Sequence, residues 1–436
     1  MTLLGRRPSG FTVGTLMVAA VAVRLVAAYF WRSDSQTDPD VYVALARQIA
    51  HGPGLCTPGT DQPTAYRPPG YPLLLAATLR VTGVPSHIAI PGWNLVFDVV
   101  VMLSVWAWLR SRSSNLGSSI LAMGILGFDP LMVRYVPLPM TEAGFTACST
   151  AAVLLLSRIV DASFPVSDRR SGALWGAAGF LLGLAALCRP SIWPFIGVFS
   201  AAVLIGGASS SAPCSSWKRR CFKLMLLWLC LAATVSPWVL RNQLVLGKPI
   251  LTTTHGGYTL LLANNPVFYD EVARQPWGTV WSGESLQRWQ TAMLAAMDAE
   301  LGSTAGEFDK DRWQGAAARR HIHADPAGFL AGMWYRCRSF WSLSPRGPAE
   351  GLPRMIRWSV SLWYVVLFGL AFAGSVTWWR QHVPGLWVLL LYIGCLQGVH
   401  LAYWTDTRMR MAIHPLLAIL ATGVLPQRKG DGEPEA

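Results

Sequence analysis

The sequence contains no glycine-rich phosphate loop, no dinucleotide fingerprint and no GxSxG elbow, the short motifs that would mark a nucleotide site or a hydrolase nucleophile. Charge is also scarce: Asp, Glu, Lys and Arg make up 14% of the residues, too few for the surface of an ordinary soluble domain. None of the eight cysteines has the spacing of a zinc site, and most lie in or beside apolar runs, where Cys acts as a small apolar residue. Only Cys56 and Cys337 lie elsewhere, so a disulfide between them is the one bridge left open. Internal repeats of the kind found in many transporters are not evident.

What is abundant is apolar: 52% of residues are hydrophobic and 21 are Trp. Runs near the ~20 residues needed to span hydrocarbon fall at 11–31, 89–109, 118–136, 141–159, 171–189, 191–207, 222–240, 356–379, 385–404 and 409–425. The expected fold is therefore an all-α polytopic membrane protein with about ten transmembrane helices. The first run follows Arg6-Arg7 but lacks a small-residue cleavage site, so it reads as a retained span.

Charge sets the expected orientation, since Lys and Arg are retained on the cytoplasmic side of short loops. Arg6 and Arg7, Arg110 and Arg112, Arg158 with Arg169 and Arg170, Lys218 to Arg220 with Lys223, Arg380, and Arg428-Lys429 fall on alternate connections. Both termini are then cytoplasmic, and segments 32–88 and 241–355 face outward. Three parts follow: a core over 1–240 that includes the outer loop 32–88, an outer module over 241–355, and C-terminal spans with a short tail over 356–436. The net charge of +13 suits the inner face of an anionic, bacterial-type plasma membrane and calls for no nucleic-acid partner.

The stretch PTAYRPPGYPLLLAATLRVTG, from Pro63 to Gly83, is too short to span, and counting it as a span would reverse the parity of every later loop. It is expected to lie as a helix in the outer interface, with Arg67 at its start and prolines at its first turn. Upstream, SDSQTDPDVYVALARQIAHGPG reads as a short amphipathic helix with Asp38 as N-cap, Pro39 at N1 and Gly52 after its end. Asp38 and Asp40 thus gather at a positive helix terminus. Plain capping is the simpler reading for one Asp; two carboxylates followed by an arginine at an interfacial helix make a less ordinary set. Glu142, in PLPMTEAGF, opens a span on the same side, where an acid either offsets the helix dipole or faces a cavity.

With these residues in view, the chain resembles the GT-C glycosyltransferases. The resemblance rests on Asp38 before Tyr42, RPPGYP at Arg67, Thr141-Glu142, CRPS at Arg189, and SPWVLRNQLVLGKPI followed by THGGYTLLLANNP. The lipid A aminoarabinose transferases, the protein O-mannosyltransferases and the Rgt-type bacterial sugar transferases are the nearest in pattern. The resemblance implies a catalytic Asp in the first outer loop and a sugar donor on a polyprenyl phosphate. It implies that Asp38 matches the family Asp, that Arg67 contacts the lipid phosphate, and that Glu142 is the acid of the second outer loop. Pro39 departs from the pattern, because family members often carry an acid directly after the catalytic Asp; here the next acid is Asp40, and the base is either. The chain also stops soon after its last run, without the large soluble domain of some relatives.

The chemistry of the residues agrees with this. Glycosyl transfer to a hydroxyl needs a base for the acceptor proton as the phosphate leaves. Asp38 or Asp40 would supply it, while Arg67, with Arg189 or Arg241, would neutralise the leaving phosphate. No cofactor is expected, although an Asp with a Glu is also a pattern that holds a divalent metal. The expected function is transfer of a sugar from a polyprenyl-phosphate donor to a lipid, glycan or protein acceptor at the outer face. A lipid-carrier flippase or transporter, or an O-antigen ligase or polymerase, is the alternative.

In the outer module, Gly256-Gly257 and Asn264-Asn265-Pro266 mark tight turns, which puts His255, Tyr258 and Asn264 on a substrate loop or makes them ordinary turn residues. His321 and His323 are two apart and would not share a helical face, against a metal role. Trp31, Trp334 and Trp341 read as interfacial belt residues. Arg24, inside the first run, is expected to point into the bundle or to snorkel. Arg408 and Arg410 reach the outward face, to meet a phosphate or to mark an interface.

Overall fold

The structure is a computed structural model that describes residues 10–112, 115–161, 168–205, 217–279, 281–344 and 352–426. Arg6, Arg7, Arg428 and Lys429 lie outside the described residues. The chain opens with α1 (Gly10–Phe30), the short helices α2 (Tyr42–His51) and α3 (Gly70–Thr82), and the long α4 (Ser86–Ser111). Next come α5 (Leu116–Phe128), α6 (Pro130–Tyr135), α7 (Glu142–Ile159), α8 (Asp168–Cys188), α9 (Trp193–Ile205) and α10 (Trp217–Leu246). The segment after it folds as α11 (Gly256–Ala263), the single turn α12 (Pro266–Phe268), α13 (Gly283–Leu301), α14 (Glu307–Ala324) and α15 (Pro326–Phe340). Three helices close the chain: α16 (Arg354–Arg380), α17 (Leu386–Ala402) and α18 (His414–Ala421). Among the described residues the only β pairing is an isolated bridge between Cys56 and Pro63.

Helix ends follow local chemistry. Asn115 caps α5 by accepting from the Ser118 N–H at 2.8 Å. Asp129 interrupts what would be one long helix: its carboxylate accepts from the N–H groups of Leu131 and Met132, both at 3.0 Å, and Pro130 takes the first position of α6. Asp325-Pro326 starts α15 in the same way. The helices α8 and α10 pack backbone to backbone. A Cβ on Gly179 would lie on the Leu227 carbonyl, and one on Gly183 would lie 2.6 Å from Thr234. Small residues at such a seam are how helices approach closely in lipid, where no hydrophobic force drives them together.

The exact count of ten spans is not confirmed: among the described residues, six segments are long and apolar enough to cross a membrane, Phe11–Phe30, Ser86–Ser111, Leu116–Tyr135, Arg170–Cys188, Trp217–Leu246 and Arg354–Arg380, and Pro190–Ile205 and Leu386–Ala402 are shorter apolar helices. The last run, 409–425, is broken into a 3-10 turn (Thr407–Ile413), α18 and a second 3-10 turn (Thr422–Val424). The cause is its polar content. Arg410 is buried and donates to the Phe340 carbonyl at 3.1 Å and to that of Ser342, and His414 Nδ1 lies 2.9 Å from the Asp129 carboxylate. The segment is thus held inside the bundle. With its apolar helices, the chain is an integral membrane protein.

The bundle sorts its connections into two ends. At one, Arg112 pairs with Asp161 at 3.2 Å and donates to the Pro384 carbonyl, and the Asn115 amide donates to the Pro426 carbonyl at 2.8 Å. At the other end lie the α1–α2 connection, the start of α3, the start of α7, the end of α8, the segment after α10 and the turn after α17. The stretch that reads as interfacial is α3, whose 13 residues are too few to span. Arg24 points inward, its Nε donating to the buried Asp98 at 2.5 Å. Cys56 and Cys337 are both free thiols, so the disulfide left open by the sequence does not form.

Candidate functional site

At the second end a cavity of about 680 Å³ opens, and its wall brings together residues far apart in sequence. The start of α2 determines which carboxylate reaches it. The helix begins at Tyr42, later than the Asp38-Pro39 start expected from the sequence. The Asp38 carboxylate nevertheless caps it, accepting from the N–H groups of Val43 at 3.1 Å and Ala44 at 2.8 Å. Between them Val41 adopts a left-handed backbone (φ 59°), a strained conformation for a β-branched residue. Asp38 thus points back along the helix, and Asp40 stands on the cavity wall.

Asp40 lies between two guanidinium groups. Arg67 donates to one carboxylate oxygen at 2.9 Å and Arg408 to the other at 3.2 Å. Burial pushes this carboxyl up, but Arg408, Arg67 and Arg189 together outweigh it and hold the group below its ordinary value. Arg67 lies over the rings of Tyr42 and Tyr66, 5.7 and 5.3 Å from their centroids. Glu142, in the first turn of α7, faces Arg189 Nη1 at 2.7 Å and Arg408 Nε at 3.6 Å. Arg189 follows the end of α8 in extended backbone just before Pro190, and it lines the same cavity. The Asp406 carboxylate, 3.0 Å from Arg408 Nε, holds Arg408 from behind.

Of the other sequence candidates, His255 and Tyr258 line the cavity. The imidazole lies between the rings of Tyr66 and Tyr258, with centroids at 4.3 and 5.3 Å. Its Nδ1 has no hydrogen-bond partner, and burial, with Arg67 nearby, pushes its pKa down to about 3. Two candidates are not brought to the cavity. Arg241 is spent on the first outer loop, donating to the carbonyls of Leu55 at 2.6 Å and Thr64 at 2.8 Å. Asn264 is buried and donates to the carbonyls of Leu260 and Ala402 at 2.8 and 2.7 Å, so it fastens α11 to α17. Arg410 is likewise structural.

Tyr66 was missed by the sequence reading, and the aromatic residue directly before Arg67 was its available signal. Glu307 was missed as well. It accepts from the Thr64 hydroxyl at 2.7 Å and from the Ala65 N–H at 2.6 Å, and nothing local in the sequence announces a contact between such distant segments. Among the described residues no group of three or more His, Cys, Asp or Glu side chains is arranged to hold a metal ion. Asp40 and Glu142 each face guanidinium groups, surroundings that do not fit a divalent cation.

The described residues form an all-helical membrane protein with an arginine-lined cavity at one end of its bundle. In fold that architecture is GT-C-like. The chain is similar to an oligosaccharyltransferase of Archaeoglobus fulgidus in its apo form, with TM-score 0.54 and 14% identity over 95% of this chain and 51% of that one. It is similar too to the oligosaccharyltransferase AglB of the same organism in complex with an inhibitory peptide and a dolichol-phosphate, with TM-score 0.53 and 14% identity over 95% and 50%. ArnT of Cupriavidus metallidurans aligns at TM-score 0.40 and 15% identity, over 94% and 77%. The chain spans about half the length of the two oligosaccharyltransferase chains. No protein-family model and no curated protein matches the sequence.

Proposed function

We propose that the protein is a membrane glycosyltransferase that moves a sugar from a polyprenyl-phosphate donor to an acceptor hydroxyl, with Asp40 as the base. The observation that carries this reading is the Asp40 carboxylate held between Arg67 and Arg408 on the cavity wall. One oxygen group can take a proton there while two cations wait for an anion. Three arginines (Arg67, Arg189, Arg408) line the cavity with Asp40 and Glu142, guanidinium groups that can meet a phosphodiester. The shared fold with a protein solved with dolichol-phosphate supports a lipid carrier.

The step balances simply. The acceptor O–H gives its proton to Asp40, its oxygen bonds to the anomeric carbon, and the bond from that carbon to the phosphate oxygen breaks. The electron pair leaves with the phosphate, where guanidinium groups stabilise it more in the transition state than before it. Asp38, occupied by the α2 backbone, keeps the turn that aims Asp40. Orientation in a bacterial inner membrane, termini inside and cavity outside, completes the proposal and rests on the charge pattern of the connections.

The test uses purified protein in lipid nanodiscs, a radiolabelled polyprenyl-phosphate sugar and membrane extract. Label in a new glycosidic product, lost in Asp40→Asn, is the expected result. Carriage of the lipid across a vesicle membrane with no such product would overturn the enzyme reading in favour of a flippase.

A further inference from the structure

A second cavity, of about 460 Å³, lies between α11, α13 and α14, beyond the charged one. Its volume falls within the roughly 300–1,000 Å³ typical of small-molecule sites. The two cavities share Tyr66 and Tyr258, and the His255 ring stacked between these tyrosines forms the partition. The outer cavity has two unlike walls. Met293 and Met297 on α13 form an adaptable apolar side, while Gln314 and Asp311 on α14 give an amide and a carboxylate. Thr254 belongs to the wall as well; it is 3% exposed and its hydroxyl has no hydrogen-bond partner. A buried hydroxyl left unpaired is costly, and a ligand hydroxyl would satisfy it.

We infer that the outer cavity is the acceptor subsite and that it takes a saccharide, whose reacting hydroxyl faces the partition of Tyr66, His255 and Tyr258, with Asp40 on its far side. A pyranose has apolar C–H faces and a rim of hydroxyls, so it needs what these walls offer: rings and methionines against the faces, an amide, a carboxylate and a hydroxyl at the rim. The partition is linked to the base. Tyr66 touches the Arg67 guanidinium, and Arg67 holds Asp40. Asp311 has one oxygen occupied by the Gly257 N–H at 2.6 Å, which leaves the other for a ligand. Gln290 donates to the Tyr258 hydroxyl at 2.7 Å, so the rim of the cavity and its partition are joined.

This inference rests on the glycosyltransferase reading, and the experiment separates the two. Thr254→Val removes the unpaired hydroxyl at nearly constant shape, and Gln290→Trp fills the cavity from its edge. Polyprenyl phosphate affinity reports on the charged cavity, and initial transfer rate against the amount of acceptor extract reports on the outer one. Both variants are expected to bind polyprenyl phosphate within about twofold of the parent. Thr254→Val should raise the apparent acceptor KM by roughly fivefold, and Gln290→Trp should lower kcat/KM more than about twentyfold. Extract oxidised with periodate should lose acceptor capacity, and protease-treated extract should keep it. Parental kinetics in both variants would overturn the subsite while leaving the enzyme intact. Acceptor capacity destroyed by protease but spared by periodate would overturn the saccharide. A parent that transfers nothing would overturn the glycosyltransferase reading and this inference with it.

Discussion

Of the charged side chains inside this bundle, the Arg24–Asp98 pair and the Asp40 set differ in one respect: only the latter borders open space. Arg24 and Asp98 form a pair at 0% and 3% side-chain exposure, and Arg24 spends its remaining donors on the carbonyls of Leu126 and Gly127, where α5 ends before α6. Every charge there has a partner of opposite sign or a carbonyl. The Asp40 set is built from the same residue types, but Arg67, Asp40 and Arg408 stand at 16–22% side-chain exposure around a void. A charged residue within a membrane helix is a candidate for function by default. The contrast lies in access: charges facing a cavity, against a pair packed on all sides.

The comparison breaks most easily at Asp40. Asp40→Asn should lower transfer by about 10²–10⁴-fold, the usual worth of a positioned base, while polyprenyl phosphate still binds. Asp38→Ala should instead cost about 1 kcal/mol of stability through the lost cap, read as a shift in thermal midpoint. An inactive Asp38→Asn beside an active Asp40→Asn would exchange their roles. The sealed pair should answer in the opposite way. Arg24→Met strands a buried carboxylate and should destabilise by about 3–5 kcal/mol, and adding Asp98→Leu should recover most of that loss. Transfer per folded molecule should not change in the double variant; if it fell, the sealed pair would belong to the site.

Smaller effects sharpen the contrast. Arg67→Ala should weaken transfer by about 1.5–3 kcal/mol, and Arg67→Lys by less, because charge remains while the planar fork is lost. Titration with polyprenyl phosphate would place that loss in donor binding. Parental affinity in Arg67→Ala would move the phosphate to Arg189 and Arg408. The smallest effect concerns pH. Burial depresses His255 to about 3, so the unfolded chain takes up its proton first. The stability of the neutral ring is present above about pH 6.5 and is lost as the medium acidifies. Between pH 7 and 5 the thermal midpoint of His255→Gln should fall by about 2 °C less than that of the parent. Asp40 is held low, so its pairing is lost only as pH falls through a value below the ordinary carboxylate range, and it adds no acid limb to activity between pH 5 and 8.

How much of this was legible in the sequence depended on whether the cause was local. The helix after Asp38 forms and Asp38 caps it as read, though it begins at Tyr42, whereas Asn265-Pro266, read as a tight turn, starts the single helical turn α12. The choice between Asp38 and Asp40 was not legible, because a single left-handed residue at Val41 turns one carboxylate into the backbone and the other outward. Nor was the exchange of Arg241 for Arg408. Both follow apolar runs and look alike in sequence, but one meets carbonyls of a distant loop and the other meets Asp40. The breaks in the run at 409–425 were not legible either, because the partners of Arg410 and His414 are supplied by other helices.

The Glu307 clasp has a mechanical consequence. It rivets the first turn of α14 to the two residues just before Tyr66, and Tyr66 leads directly into Arg67. Any swing of α14 that widened the outer cavity would pull on that short tether and shift the guanidinium at the other end. Under the proposed reading, opening of the outer cavity and the hold of Arg67 on Asp40 are strokes of a single lever, with the carboxylate of Glu307 as its pin.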